Sequence, residues 1–361
     1  VHGGDRDAAA ARYGVDPSTL IDLSANINPL GPPAGLLAAL RDAACDVTEL
    51  QRYPEATYRE LRSSIAREIV RSDPASIVVG NGGAALLEAA LAHGRPRRCA
   101  LPVPAFSEYA RALAALGIEA VAVPLEAGAD FALDAEAFVE RVCRSGAQVA
   151  LLNNPHNPSG ALTERRRVLA LAGRLADFGC RTIVDEAFID YVPDESVAAV
   201  AATSETLTCV RSLTKFFAIP ALRVGYAVCS PRNAAAMRAR LPSWPVTTLA
   251  ARAVTAALAD GEFASLTRTA NARERAWLSE RLRCRGVRVL PSAANFVLVE
   301  LPSPERSGIV ADRLAREFGV LVRDCASYAG LAGDWLRIAV RTRAESERAI
   351  EALGSIVGVD V

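Results

Sequence analysis

The stretch Arg181-Thr-Ile-Val-Asp-Glu-Ala-Phe188 reads as a short apolar strand that runs directly into two acids. Val and Ile favour a buried strand, so Asp185 falls at the strand's carboxyl end. Six further apolar runs flank it, at 77–80, 98–102, 119–125, 148–153, 207–213 and 223–230, with helical spacing over 84–92, 136–144 and 164–178. Such alternation predicts an α/β fold whose mostly parallel, seven-stranded sheet lies between helices. Ligands of these sheets sit at the carboxyl ends of the strands, where Asp185 lies.

Beyond Pro242 and Pro245 the pattern changes. A long helix over 262–284 precedes strands at 287–290, 295–300, 320–323 and 336–340, with helices over 307–318 and 344–356. That segment reads as a smaller α+β domain. The expected layout is an N-terminal arm over residues 1–50, packing on the small domain or on a partner chain, a large domain over 51–260 and a small C-terminal domain over 261–361.

The 361 residues carry 41 basic and 41 acidic side chains, a balance that argues against a nucleic-acid grip or an anionic-membrane anchor. No apolar run approaches the ~18 residues of a membrane span, and no leader opens the chain, so a cytoplasmic protein is expected. Eight scattered cysteines without a C-x-x-C pair read as thiols, with no metal site expected.

Lys215 is the only lysine, and the other 40 basic residues are arginine. A guanidinium replaces an ammonium on a solvated surface but cannot act as an amine nucleophile. Around it, Arg211-Ser-Leu-Thr-Lys-Phe-Phe-Ala-Ile-Pro-Ala-Leu-Arg-Val-Gly225 sets hydroxyls beside the amine and an arginine eight residues on. Ser212, Thr214 and Arg223 suit a phosphate next to Lys215, and a solvated loop lysine at a strand end is the other reading of this segment.

Upstream, a buried Asp185 needs a cationic partner such as a protonated pyridine nitrogen; a helix cap or a metal ligand are its other readings. The rigid turn Asn153-Asn-Pro-His-Asn-Pro-Ser-Gly160 presents Asn157 as a fixed amide donor. Gly80-Asn-Gly-Gly-Ala-Ala85 follows a strand and opens a helix, the usual setting for phosphate on backbone amides. It also fits the dinucleotide pattern G-x-G-x-x-A, yet 98–104 lacks the acid that fingerprint requires. Phe106 suits stacking on a planar ring, or a place in the core. Amine, carboxylate, amide, aromatic and phosphate cup together are what pyridoxal 5'-phosphate asks for.

The order of these motifs resembles, over nearly the whole chain, the fold type I pyridoxal-phosphate enzymes of the class I/II aminotransferase family. The resemblance implies that Lys215 carries the cofactor as a Schiff base, Asp185 pairs with the ring nitrogen and Asn157 donates to the ring hydroxyl. It implies that Gly82, Gly83, Ser212, Thr214 and Arg223 hold the cofactor phosphate, with Phe106 on the ring and Tyr53 reaching in from the second subunit of a homodimer. Arg337 is then the clamp for a substrate carboxylate, while His2, Asn28 and Arg323 face a substrate phosphate.

His2-Gly-Gly4, Ala11-Arg-Tyr-Gly14 and Leu23-Ser-Ala-Asn-Ile-Asn-Pro-Leu-Gly-Pro32 are similar to the branch that decarboxylates O-phospho-L-threonine to aminopropanol phosphate in cobalamin biosynthesis. Arg52-Tyr-Pro54, Arg323-Asp324 and Leu336-Arg-Ile-Ala-Val-Arg341 are shared with the histidinol-phosphate aminotransferases, which keeps transamination as the alternative. In either case the expected partner is a small phosphorylated amino acid or amine. Two departures stand out. Phe188 replaces the aminotransferases' usual tyrosine, which favours decarboxylation, and Gly83-Ala84 replaces bulkier residues in the cofactor loop.

Overall fold

The computed structural model describes residues 3–302, 306–331 and 333–358. Seven strands form the main sheet: β2 (Ile77–Asn81), β3 (Arg98–Val103), β4 (Glu119–Pro124), β5 (Val149–Asn153), β6 (Arg181–Asp185), β7 (Leu207–Ser212) and β8 (Val224–Val228). Their order is β2-β8-β7-β6-β5-β3-β4, and only β8 runs antiparallel to its neighbours. Each strand lies on one of the apolar runs read from the sequence.

Strand alternation explains the layering. Val78, Cys99, Leu151, Ile183 and Val210 pack under the helices Gly82–Ala92, Ser107–Ala115 and Pro231–Arg238. Their neighbours Val79, Ala100, Leu152, Val184 and Cys209 face the helices Arg59–Ile65, Ala135–Ser145, Arg165–Asp177 and Thr248–Leu258. With both faces covered, the middles of the strands are mostly apolar, and the polar strand ends Asn153, Asp185 and Ser212 line up at one edge.

The 24-residue helix Gly261–Cys284, capped by Asp260 on the amide of Phe263, leads into the smaller sheet. Its strands β9 (Arg288–Val289), β10 (Phe296–Glu300), β12 (Arg323–Asp324) and β13 (Trp335–Ala339) are antiparallel, in the order β12-β13-β10-β9. The single strand expected over 320–323 is divided. β11 (Val320–Leu321) pairs in parallel with β1 (Ile21–Asp22), while β12 pairs with β13, so its two halves serve two sheets.

The first 50 residues divide too. Residues 21–23 join the small domain, where Ala339 N donates to Leu23 O at 2.9 Å. The helix Ala34–Cys45 instead buries Leu36 in the large-domain core. Among the described residues no helix is long and apolar enough to cross a membrane.

Candidate active site

The parallel register sets Asn153 beside Asp185 and brings the carboxyl ends of β5, β6 and β7 to one edge. Asp185 Oδ2 accepts from the Tyr109 hydroxyl at 2.6 Å, and Oδ1 accepts from Ala187 N at 3.1 Å. Burial pushes the carboxyl above the usual range, opposed by the Tyr109 bond and by the Lys215 charge.

Lys215 lies on the loop after β7, partly buried, with Nζ donating to Ser212 Oγ at 3.1 Å and lying 5.7 Å from the centre of the Phe188 ring. Burial lowers the affinity of this amine for its proton. Asp185 opposes that effect, and the Arg223 and Arg337 charges add to it. A partly buried amine of reduced basicity, facing an acid, is the form a carbonyl-condensing nucleophile takes.

Beside the amine is an anion cradle. Ser212 Oγ and Thr214 Oγ1 lie 2.7 Å apart, and the helix Gly82–Ala92 begins at Gly82 with φ +74°. A Cβ on Gly82 would sit 2.8 Å from Arg223 Nη2, and one on Gly225 only 2.9 Å from Gly83 N. Glycines here let the helix N-terminus, two hydroxyls and a guanidinium converge. Arg223 holds its own backbone at φ +53°.

Across the cleft, the buried Asn157 amide is held in place. Its N donates to Asn153 Oδ1 at 2.7 Å, and its Oδ1 accepts from Arg337 Nη1 at 2.7 Å and from the Tyr328 hydroxyl at 3.3 Å. That leaves Nδ2 as its donor toward a ligand. Arg337, on β13, also donates to Ser24 O at 3.0 Å, lies 5.2 Å above the Phe296 ring and buries an unpartnered Nε. Arg323 lies over the Tyr328 ring at 5.4 Å and donates to Ser327 Oγ at 2.9 Å. Phe106 caps the helix Ser107–Ala115, partly buried and edge-on to Tyr109. Behind the cleft, fully buried Arg211 pairs with Asp190 and lies 3.9 Å from Glu186, tying the ends of β6 and β7 together.

Lys215, Asp185, Gly82, Gly83, Ser212, Thr214, Arg223, Asn157 and Arg337 therefore share one cleft. Asn28 is corrected. Its Nδ2 donates to Phe216 O at 2.8 Å and Thr267 Oγ1 at 3.1 Å, and its Oδ1 accepts from Leu30 N at 3.0 Å, so the carboxamide has no donor left for a phosphate. Tyr53 is 77 % exposed and stacks on Trp244 at 4.2 Å, with no contact to the Lys215 cluster among the described residues. His2 lies outside the described residues.

Tyr109, Tyr328 and Ser24 escaped the sequence reading. Tyr109 follows Phe106 by three residues on a helix, a spacing that could have been noticed; Tyr328 lies in a loop without a motif. The donor set suits pyridoxal phosphate: anion cradle, amine, carboxylate and free amide donor each match one of its groups. Among the described residues no cluster of His, Cys, Asp or Glu could hold a metal ion.

A model of the family described as aminotransferase class I and II matches residues 18–353. The chain is 36% identical to a threonine-phosphate decarboxylase of Salmonella typhimurium, over 99% of this chain and 96% of the other. It is 31% identical to an L-serine phosphate decarboxylase of Sulfurospirillum multivorans, over 85% and 80%. A histidinol-phosphate aminotransferase structure from Clostridium acetobutylicum superposes with TM-score 0.86 at 27% identity, covering 94% of this chain and 99% of that one.

Proposed function

The chain belongs to the aminotransferase class I and II family, and from that premise we propose that it is a pyridoxal-phosphate-dependent lyase that decarboxylates O-phospho-L-threonine to aminopropanol phosphate. One observation carries the reading: the sole lysine shares its cleft with Asp185 and an anion cradle, as a Schiff-base lysine requires. The full-length similarity to a threonine-phosphate decarboxylase supports the substrate and a place in cobalamin biosynthesis.

When bound, pyridoxal phosphate supplies a conjugated electron sink for the pair left by a bond broken at the substrate's α carbon. The cradle of Gly82, Gly83, Ser212, Thr214 and Arg223 is the seat for its phosphate. Asp185 is the acceptor for its ring nitrogen, Asn157 Nδ2 the donor to its ring oxygen and Phe106 the wall beside it.

Arg337 is suited to the substrate carboxylate because a guanidinium binds that group bidentately, and Arg323 is suited to the phosphate for the same reason. Anchoring both ends of a short substrate fixes rotation about its α carbon. That anchoring would let Arg337 and Arg323 select which bond at the α carbon is broken, and for loss of CO2 Lys215 Nζ would be the group suited to return a proton to that carbon. Buried Phe188 has no hydroxyl to offer the ring oxygen, in keeping with this reading.

We further propose a homodimer in which Tyr53 completes the partner's cleft. Leu37, Leu50, Tyr53 and Trp244 leave large apolar side chains exposed, as an unpaired interface would. Eight cysteines with no disulfide among them suit the reducing cytoplasm.

The deciding experiment is a paired assay. The enzyme is expected to release CO2 and aminopropanol phosphate from O-phospho-L-threonine, and to form no glutamate from histidinol phosphate with 2-oxoglutarate. Glutamate in the second tube with no CO2 in the first would make the protein an aminotransferase. Lys215→Ala is expected to lose the borohydride-reducible visible band while keeping the fold.

A further inference from the structure

Once the cleft is assigned, one buried phenol beside it has no role. Tyr109 is 3% exposed on the helix Ser107–Ala115, and its hydroxyl donates to Asp185 Oδ2 at 2.6 Å. On the other side Ala187 N holds Oδ1 at 3.1 Å, so the carboxylate is clamped by one donor on each oxygen. A carboxylate accepts on both faces of each oxygen, so one lone pair per oxygen stays available to a ligand.

We propose that Tyr109 is a positioning residue that aims Asp185 at the cofactor's ring nitrogen and, by donating to Oδ2, keeps the shared proton on that nitrogen rather than on the acid. This role rests on the pyridoxal-phosphate reading of the cleft. Asp185 is buried, and burial raises the affinity of a carboxylate for protons. Facing a protonated ring nitrogen, such an acid competes for the proton, and a ring that loses it is a weaker electron sink. A hydrogen bond donated to the carboxylate lowers its basicity.

The phenol keeps its own proton, because burial and the neighbouring Asp185 charge both raise its pKa well above 10.0. Other charged or titratable groups act nearby. Lys215 faces the acid from the cleft, Tyr328, whose hydroxyl meets Asn157 and Arg337, acts on Tyr109, and Cys209 in β7 and Glu186 after β6 complete the set. Lys215 also weakens the acid's basicity, but it leaves that role whenever its amine is condensed or neutral. Tyr109 is the constant donor.

The test uses holoenzyme loaded with pyridoxal phosphate labelled with 15N in the ring, read by 15N NMR at neutral pH, together with the cofactor dissociation constant from equilibrium dialysis. Tyr109→Phe keeps the ring and its packing and removes only the donor. Its bound ring nitrogen is expected to shift toward the unprotonated pyridine position, and its dissociation constant to rise about tenfold, the scale of one hydrogen bond to a charged group.

Site-specific replacement of Tyr109 by 3,5-difluorotyrosine, a stronger donor of nearly the same shape, is expected to keep the protonated position and to lower the dissociation constant below that of the wild type, a readout that stands even if Tyr109→Phe folds poorly. If the wild type binds no pyridoxal phosphate, the functional reading falls and this role falls with it. If the wild type binds the cofactor and both replacements match it in shift and affinity, the role of Tyr109 alone is overturned.

Discussion

Arg337 Nη1 donates to Asn157 Oδ1 at 2.7 Å, joining a strand of the small sheet to the rigid turn after β5. One guanidinium thus orients the Asn157 amide, and its buried Nε has no partner within the chain; under the proposed function that Nε is the donor toward a substrate anion. Lysine has the charge but not the planar fork, and it cannot reach Asn157, Ser24 and an anion at once. Arg337→Lys is expected to raise KM for O-phospho-L-threonine about 10- to 100-fold. Steady-state kinetics together with the visible spectrum of the holoenzyme would check this. An unchanged KM would remove Arg337 from the substrate site.

Asn28 and Arg323 should separate cleanly. Asn28 spends its carboxamide on Phe216, Thr267 and Leu30, so Asn28→Ala is expected to cost about 2–3 kcal/mol of stability through three lost hydrogen bonds. Arg323→Ala is expected to leave the melting temperature nearly unchanged and to weaken inhibition by substrate-like phosphates. Thermal melts and phosphate-analogue inhibition of the two variants decide whether Asn28 is a scaffold or a ligand.

Gly225 lies where strand, helix and cradle meet. Its hypothetical Cβ would be 2.7 Å from Arg211 O and 2.9 Å from both Gly82 C and Gly83 N, all backbone atoms. Gly225→Ala is expected to cost about 1–3 kcal/mol and to displace the phosphate seat. Equilibrium dialysis should show weaker binding of pyridoxal phosphate, with the remaining bound fraction still reducible on Lys215.

His156 predicts an acid limit. Its Nε2 lies 2.8 Å from Pro104 O, which can only accept, so Nε2 carries the proton and Nδ1 accepts from Ser159 Oγ at 2.7 Å. Burial lowers its pKa from 6.5 to about 4. Between these values the unfolded chain takes up a proton that the folded chain refuses, so stability falls as pH drops from 6.5 to about 4, by about 3 kcal/mol in all. Urea melts across that range should show a flatter profile for His156→Gln.

The sheet was legible in the sequence because strands covered on both faces carry short runs of consecutive apolar residues instead of an alternating pattern. Lys215, Asp185 and the glycines were legible for a different reason: each breaks a pattern at a strand end. Helices such as Ala34–Cys45 and Thr248–Leu258 were not read, since their alanine-rich faces pack against each other and carry little polar contrast. For Asn28 the resemblance implied a phosphate contact, and no local pattern announced the partners of its carboxamide, 188 and 239 residues away. Tyr109 and Tyr328 depend on the same kind of long-range meeting, 76 and 171 residues apart in sequence.

Because guanidiniums supply every other basic side chain, a reagent selective for primary amines meets one side chain in the whole sequence. That amine is partly enclosed and of lowered basicity, hence reactive where surface lysines would be protonated. Acylation mapped to Lys215, separately from the chain's α-amine, therefore reports competent clefts, and protection by a bound aldehyde reads occupancy without any turnover.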